Sequence, residues 1–305
     1  MNAIEDRHLG CLLGLACGDA VGTTVEFKAR GSFAPLTEME GGGPFHLRAG
    51  EWTDDTSMAL CLGESLLTCG GFDLRDQIER YCRWASDGHW SSNGRCFDIG
   101  HTVSSALGRF QRSGEPASGP TDPRSAGNGS IMRLAPVVLF YAPDRDAAIR
   151  YAAESSKSTH GAIEAIDACR LLAAMLLTAL EGAKKDEVLD AGLALHAAEP
   201  LSARLADIAQ GAWRTKREAE IRGTGYVVAS LEAAIWCFAN TASYRDAVLR
   251  AANLGEDADT TAAVCGQIAG AFYGASAIPA PWRARLSRRE EIDLMAHALR
   301  DARPS

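Results

Sequence analysis

Gly10-Cys11-Leu12-Leu13-Gly14-Leu15-Ala16-Cys17-Gly18-Asp19-Ala20-Val21-Gly22 sets a glycine at every fourth position of a largely apolar run. Gly266, Gly270 and Gly274 repeat that spacing near the other end of the chain. An interior glycine lowers helix stability by about 1 kcal/mol relative to alanine, so a ladder of them on one face needs a compensating gain. Close approach of a second helix backbone supplies it. The ladders therefore predict that the first and last long helices lie deep in a bundle, against each other.

Helical periodicity continues between them. Leu74, Ile78, Tyr81, Cys82 and Ala85 share one face behind Asp73, a natural N-cap. Ile163, Ile166, Leu171, Leu172, Met175, Leu176 and Leu180 mark a long helix, with Glu164, Asp167 and Arg170 expected on its wetter side. Leu231, Ala234, Ile235 and Phe238 mark another. The strand-like runs Val137-Val138-Leu139-Phe140 and Tyr226-Val227-Val228 are short and sit in helix-like surroundings, so the fold class is all-α. Two glycine-rich loops, Thr37 to Glu51 and Arg112 to Gly129, interrupt the helices. Composition does not change across the second, which reads as a functional surface loop rather than a linker. A single domain over residues 1–305 follows.

The 305 residues include 31 Lys and Arg against 39 Asp and Glu, for a net charge of −8. That balance disfavours binding to a nucleic-acid backbone. A hydrophobic content of 47% is enough for a large core. The uncharged run Thr260 to Trp282 has the length of a bilayer span, but it is mostly Ala, Gly, Thr and Ser, carries Gln267, and ends in Pro279 and Pro281. It reads as a buried helix, with no membrane partner. Acids at Glu5 and Asp6 stand where an export signal carries positive charge. The nine cysteines are an odd number without a C-x-x-C pair, which fits core thiols in a reducing cytoplasm. Arg283-Ala284-Arg285-Leu286-Ser287-Arg288-Arg289 reads as a solvated helix face.

Two acidic clusters precede apolar helices: Glu51-Trp52-Thr53-Asp54-Asp55-Thr56 and Gly255-Glu256-Asp257-Ala258-Asp259-Thr260-Thr261. Either alone could be helix capping, where an acid near the N-terminus contributes about 0.3–1 kcal/mol. Four aspartates exceed that need, and packing them together without a cation is costly. Asp, Glu and Thr oxygens without His or Cys suit a hard ion such as Mg²⁺ or Mn²⁺ rather than zinc. Converging clusters could hold two metals about 3.5–4 Å apart, as two-metal hydrolases do. Gly127-Asn128-Gly129-Ser130 leads toward a helix through Met132, Leu134 and Val138. Its amides could cradle phosphate, although an ordinary turn uses the same residues. Ser158-Thr159-His160-Gly161 places His160 either in a site or at a helix cap.

Taken together, Gly14-Leu15-Ala16-Cys17-Gly18-Asp19-Ala20-Val21-Gly22, Val25-Glu26-Phe27, Thr53-Asp54-Asp55-Thr56, Asp98-Ile99-Gly100-His101-Thr102, Gly127-Asn128-Gly129, Thr159-His160 and the Gly255–Thr261 stretch resemble the ADP-ribosylglycohydrolase family. The likeness is to its bacterial branch, which includes dinitrogenase-reductase-activating glycohydrolase, and it runs from about Arg7 to Trp282. The resemblance implies a compact orthogonal bundle of helices with a dinuclear Mg²⁺ or Mn²⁺ centre. The implied ligands are Thr53, Asp54, Asp55, Asp257, Asp259 and Thr260. The Gly127–Ser130 loop and His160 would line an ADP-ribose cleft, and Tyr226 would cover part of the nucleotide. Glu26 and Asp98 fall where the family places acids near the scissile bond. With Asp55 they are the candidates for general base, and the sequence does not choose among them. Glu256 stands where members carry glycine and is expected to point outward.

The implied activity is hydrolysis of the N-glycosidic bond of ADP-ribosyl-arginine on a protein, releasing ADP-ribose, by a cytoplasmic monomer. The alternatives are serine-linked ADP-ribose, small ADP-ribosyl compounds, a non-catalytic ADP-ribose binder, and a two-metal phosphoesterase that would release AMP.

Overall fold

The computed structural model describes residues 2–302. Its α-helices are α1 (Ala3–Gly22), α2 (Asp54–Cys69), α3 (Leu74–Asp87), α4 (His101–Ser113), α5 (Ala135–Tyr141), α6 (Arg145–Ser156) and α7 (Ile163–Leu180). They continue as α8 (Lys185–Ala198), α9 (Ala203–Ala209), α10 (Val227–Ala239), α11 (Tyr244–Ala252), α12 (Ala258–Tyr273), α13 (Ala280–Arg285) and α14 (Arg289–Asp301). The described residues form no sheet; Gly42–Leu47 and Gly127–Tyr226 are isolated antiparallel bridges. The strand-like run Val137–Phe140 lies in α5, and Val227 and Val228 begin α10, with Tyr226 as its extended N-cap residue.

The two ladders meet. A Cβ at Gly10, Gly14, Gly18 or Gly22 would collide with the α12 backbone at Gly270, Gly266, Ala262 and Ala258 respectively. A Cβ at Gly266 or Gly270 would collide with α1 at Gly14 and Gly10. The helices are therefore antiparallel and in backbone contact along their length, as the spacing predicted. Tyr244 on α11 closes the seam by donating its hydroxyl to Gly14 O at 2.9 Å. Around the pair lies one large apolar core. A smaller core of Met58, Cys61, Ile78, Tyr81, Trp84, Val103, Leu107, Phe110 and Met132 joins α2, α3 and α4.

By length and composition α1 would also pass for a membrane span, yet it lies almost wholly inside the fold. The uncharged run breaks at Gly274 (φ +85°), where α12 ends and a short turn leads to α13. Cys11, Cys17, Cys61, Cys169, Cys237 and Cys265 are buried free thiols.

Two expectations about solvated faces are corrected. Asp167 and Arg170 are buried, not on a wet side: Arg170 Nη1 donates to Asp167 Oδ1 at 2.9 Å, and Asp167 Oδ2 accepts the Ser202 amide at 2.7 Å. The connection after α8 folds over them and needs a charged pair to satisfy its backbone. The Arg283–Arg289 run is not one helix face. It breaks between α13 and α14, with Leu286 buried and Arg288 left-handed at φ +51°.

Candidate metal centre and active site

Thr53 and Asp257 occupy the N-cap positions of α2 and α12, and neither side chain caps its own helix. The two helix starts face each other instead. Thr53 Oγ1 lies 3.2 Å from Asp259 Oδ2, and Thr260 Oγ1 lies 3.4 Å from Asp55 Oδ2. Residues some two hundred positions apart are thus brought into contact by the antiparallel packing of α1 on α12, with α2 alongside.

The cap that α2 lacks comes from α1. Asp19, fully buried, accepts the Thr53 amide at 2.9 Å and the Thr56 amide at 3.1 Å, and also receives the Thr53 and Thr56 hydroxyls at 2.9 and 2.6 Å. By taking over the helix's orphan amides it leaves Asp54 and Asp55 free for other work. Sequence reasoning gave Asp19 no role. The available signal was an acid inside an apolar, glycine-spaced helix.

Glu26, Asp257 and Asp259 bring carboxylate oxygens within 4.8 Å of one another, and so do Asp54, Asp98 and Asp259. Asp259 is common to both groups. Glu26 sits in the turn after α1; Asp98 sits before α4 in a left-handed backbone at φ +57°. A non-glycine residue held there is strained, which is common at functional sites.

The electrostatics are lopsided. Among the described residues no Lys or Arg forms an ion pair with Asp19, Glu26, Asp54, Asp55, Asp98, Asp257 or Asp259. Burial, then repulsion from Asp98 and Asp257, pushes Glu26 up to about 10. Burial, then Asp257 and Asp19, pushes Asp98 up to about 7. Burial and neighbouring carboxylates hold Asp54, Asp55 and Asp259 well above the carboxylate range. Among the described residues, buried Asp55 Oδ1, Asp259 Oδ1 and Glu26 Oε2 have no hydrogen-bond partner. Orphaned anionic oxygens converging without a cation are the condition that a hard divalent ion relieves. The residues fit such an ion.

Glu26, Asp54, Asp98, Asp257, Asp259 and Thr260 line a cavity of about 720 Å³ together with Gly127, Asn128, Gly129 and His160. Asp55 lies behind this wall rather than on it, held by contacts to Thr53 and Thr260.

The Gly127–Ser130 loop differs from expectation in three ways. It does not open directly into a helix: turns carry the chain to α5, which begins at Ala135. Asn128 serves the carboxylate cluster, donating Nδ2 to Asp257 Oδ2 at 2.6 Å. The glycines leave room for the His160 ring, since a Cβ at Gly129 would lie 2.6 Å from its Cε1 and one at Gly127 3.1 Å from its Nε2. Ser130 is buried away from the cavity surface. Tyr226 bridges to Gly127 but is not part of the cavity wall; its hydroxyl donates to Glu164 Oε2 at 2.6 Å and accepts from Arg204 at 3.1 Å. Glu256 reaches the rim and pairs outward with Arg222, as anticipated.

The ADP-ribosylglycohydrolase family model matches residues 1–305. The chain belongs to the ADP-ribosylglycohydrolase family. Among its relatives, the ADP-ribosylarginine hydrolase Tri1 of Pseudomonas putida is 46% identical over 299 residues, covering 98% of this chain and 79% of that protein. The ADP-ribosyl-[dinitrogen reductase] glycohydrolase of Rhodospirillum rubrum is 30% identical over 96% of this chain and 94% of its own. A solved ADP-ribosylglycohydrolase-related protein complex superposes with a TM-score of 0.87 at 42% identity, covering 98% of this chain and 99% of that one. The family that the motifs resembled is the family found, and its all-α architecture is the one observed.

Proposed function

We propose that this chain is a metal-dependent hydrolase that cuts the N-glycosidic bond of ADP-ribosyl-arginine on a protein and releases ADP-ribose. One observation carries the reading: buried carboxylates from both ends of the chain converge, with oxygens unsatisfied among the described residues, on a cavity that a glycine loop and a histidine also line. The relatives named ADP-ribosylarginine hydrolase, at 46% and 43% identity, support arginine as the linkage.

Thr53, Asp54, Asp55, Asp257, Asp259 and Thr260 would hold two Mg²⁺ or Mn²⁺ ions. Such ions would neutralise the cluster, bind sugar hydroxyls and lower the pKa of water. The rest falls to side chains. Cleavage at an anomeric carbon passes through a cation-like sugar, which a carboxylate-lined wall stabilises. Glu26 and Asp98 reach the cavity where Asp55 does not, so they form the acid–base pair: one accepts a proton from water, the other protonates the departing guanidine. Asn128 keeps Asp257 in place, while Gly127, Gly129 and His160 receive the diphosphate. The chain works as one domain in the cytoplasm, a setting its buried free thiols suit.

The test is product analysis by chromatography after incubation with arginine-ADP-ribosylated protein. ADP-ribose is expected with Mg²⁺ or Mn²⁺, and none with chelator or in Asp55→Ala. Release of AMP would indicate pyrophosphate cleavage. Activity surviving both chelation and Asp55→Ala would remove the metal centre, and preference for serine-linked substrate would remove the arginine assignment.

A further inference from the structure

Arg133 is 1% exposed, and among the described residues no carboxylate pairs with it. Its guanidinium lies over the Tyr81 ring, 4.4 Å from the centroid. Its Nη2 donates to Thr159 Oγ1 at 2.7 Å and to Ser158 Oγ at 3.2 Å. A guanidinium has no acceptor, so Thr159 must receive that bond and send its own hydrogen elsewhere. Thr159 is fully buried, and the acceptor within reach is His160 Nδ1 at 2.8 Å. Ser158 offers no alternative route, because its hydroxyl already donates to Ser155 O at 2.8 Å while receiving Gln77 Nε2 at 3.1 Å.

The donor count settles the ring. If Nδ1 accepts, the imidazole hydrogen is on Nε2, the atom that stands against Gly127 and Gly129 in the cavity wall. No protein group accepts from Nε2 among the described residues. We propose that Arg133 and Thr159 form a hydrogen-bond relay that fixes His160 as the Nε2–H tautomer, so that it presents a neutral donor to an oxygen of the nucleotide diphosphate. The relay rests on the functional reading above for its ligand, though not for its geometry. Burial, and then the charge of Arg133, bring His160 down to about 3, so the ring stays uncharged through the physiological range. Arg133 is accordingly a positioning residue: it acts on the ligand through Thr159 and His160, and it supplies positive potential behind them.

The wild-type chain, labelled with ¹⁵N-histidine, gives the first readout. Long-range ¹H–¹⁵N correlations should show His160 Nδ1 as an unprotonated acceptor and Nε2 as the N–H. An Nδ1–H tautomer would overturn the relay. Thr159→Val keeps the side-chain shape and removes the hydroxyl. It should mix the two tautomers and weaken ADP-ribose binding by calorimetry about tenfold, the effect of one lost oriented hydrogen bond. KM should rise correspondingly, with kcat within about twofold. Thr159→Ser should restore both signatures. Unchanged tautomer and affinity in Thr159→Val would also overturn the proposal. If the wild-type chain neither binds ADP-ribose nor releases it, the functional reading fails, while the wild-type spectrum still decides the relay.

Discussion

At the start of α3, Asp73 Oδ1 accepts the Arg75 and Asp76 amides at 2.9 and 3.0 Å, which is ordinary capping. Asn2, Asp144 and Ser243 do the same for α1, α6 and α11. At the start of α2, Thr53 stands at the equivalent position and caps nothing; Asp257 is the same at α12. The residue types match, but the destinations of their oxygens differ. Where the acid satisfies its own helix, it is exposed and local. Where another residue takes over the capping, as Asp19 does for α2, the acids are released into a buried cluster that no cation among the described residues pairs with. A helix start whose cap comes from elsewhere in the fold is therefore a better sign of a site than acidity alone.

The largest effect expected from this contrast is in Asp259→Asn. Asp259 is shared by both oxygen groups, so removing its charge should lower ADP-ribose release by about 10³-fold or more, equivalent to about 4 kcal/mol of transition-state stabilisation. The same variant should raise the melting temperature measured in chelator, because a buried repulsive charge is gone. Loss of activity together with loss of metal-free stability would mean that Asp259 is structural, and the contrast with Asp73 would break.

A smaller and graded effect is expected from pH. Glu26 titrates ordinarily near 4.5 and is raised to about 10 in the fold; Asp98 is raised from 3.8 to about 7. Between those limits the metal-free native state binds more protons than the unfolded chain, so its stability falls as pH rises. Below the ordinary values both states are protonated and the penalty disappears. A divalent ion favours the ionised carboxylates and reverses the trend. Melting scans at pH 5 and pH 9 should show a lower transition at pH 9 in chelator, and a larger rise on adding Mg²⁺ or Mn²⁺ at pH 9 than at pH 5. A flat chelator profile would show that the cluster carries no net repulsion.

How much of this was legible beforehand follows physical lines. Gly10 through Gly22, with Gly266 and Gly270, announced their seam because backbone contact permits few residues other than glycine, and the period states the face; Gly274, at the end of α12, meets the Asp6 side chain instead. Thr53-Asp54-Asp55 and Asp257-Ala258-Asp259 were legible as excess charge. Asp19 was not, because its partners Thr53 and Thr56 lie 34 and 37 residues away and one acid in a helix has no pattern. Asp167 and Arg170 misled for the opposite reason: helical spacing records which residues are polar, but not that the Glu199–Ser202 connection covers them. Gly127 and Gly129 suggest by sequence a phosphate cradle of backbone amides or an ordinary turn, and neither reading shows that they also leave room for the His160 ring, 31 residues further on in the case of Gly129.

The smallest expected effect is the other half of the comparison. Asp73→Ala removes two amide acceptors from the first turn of α3 and should cost about 1 kcal/mol of stability. Asp73 is exposed, so no desolvated charge is left behind. Beyond the first turn, α3 is anchored independently: Ile78, Tyr81 and Trp84 lie in the core shared with α2 and α4, and Gln77 is buried against Ser155 and Ser158. Fraying should therefore stop before Gln77, leaving the relay to His160 and the carboxylates untouched. Chemical denaturation should show the loss, while kcat and KM for ADP-ribose release stay at wild-type values. A decrease in activity comparable to that of Asp259→Asn would mean that capping and catalysis are not separable in this fold, and that the division between the two kinds of helix start is wrong.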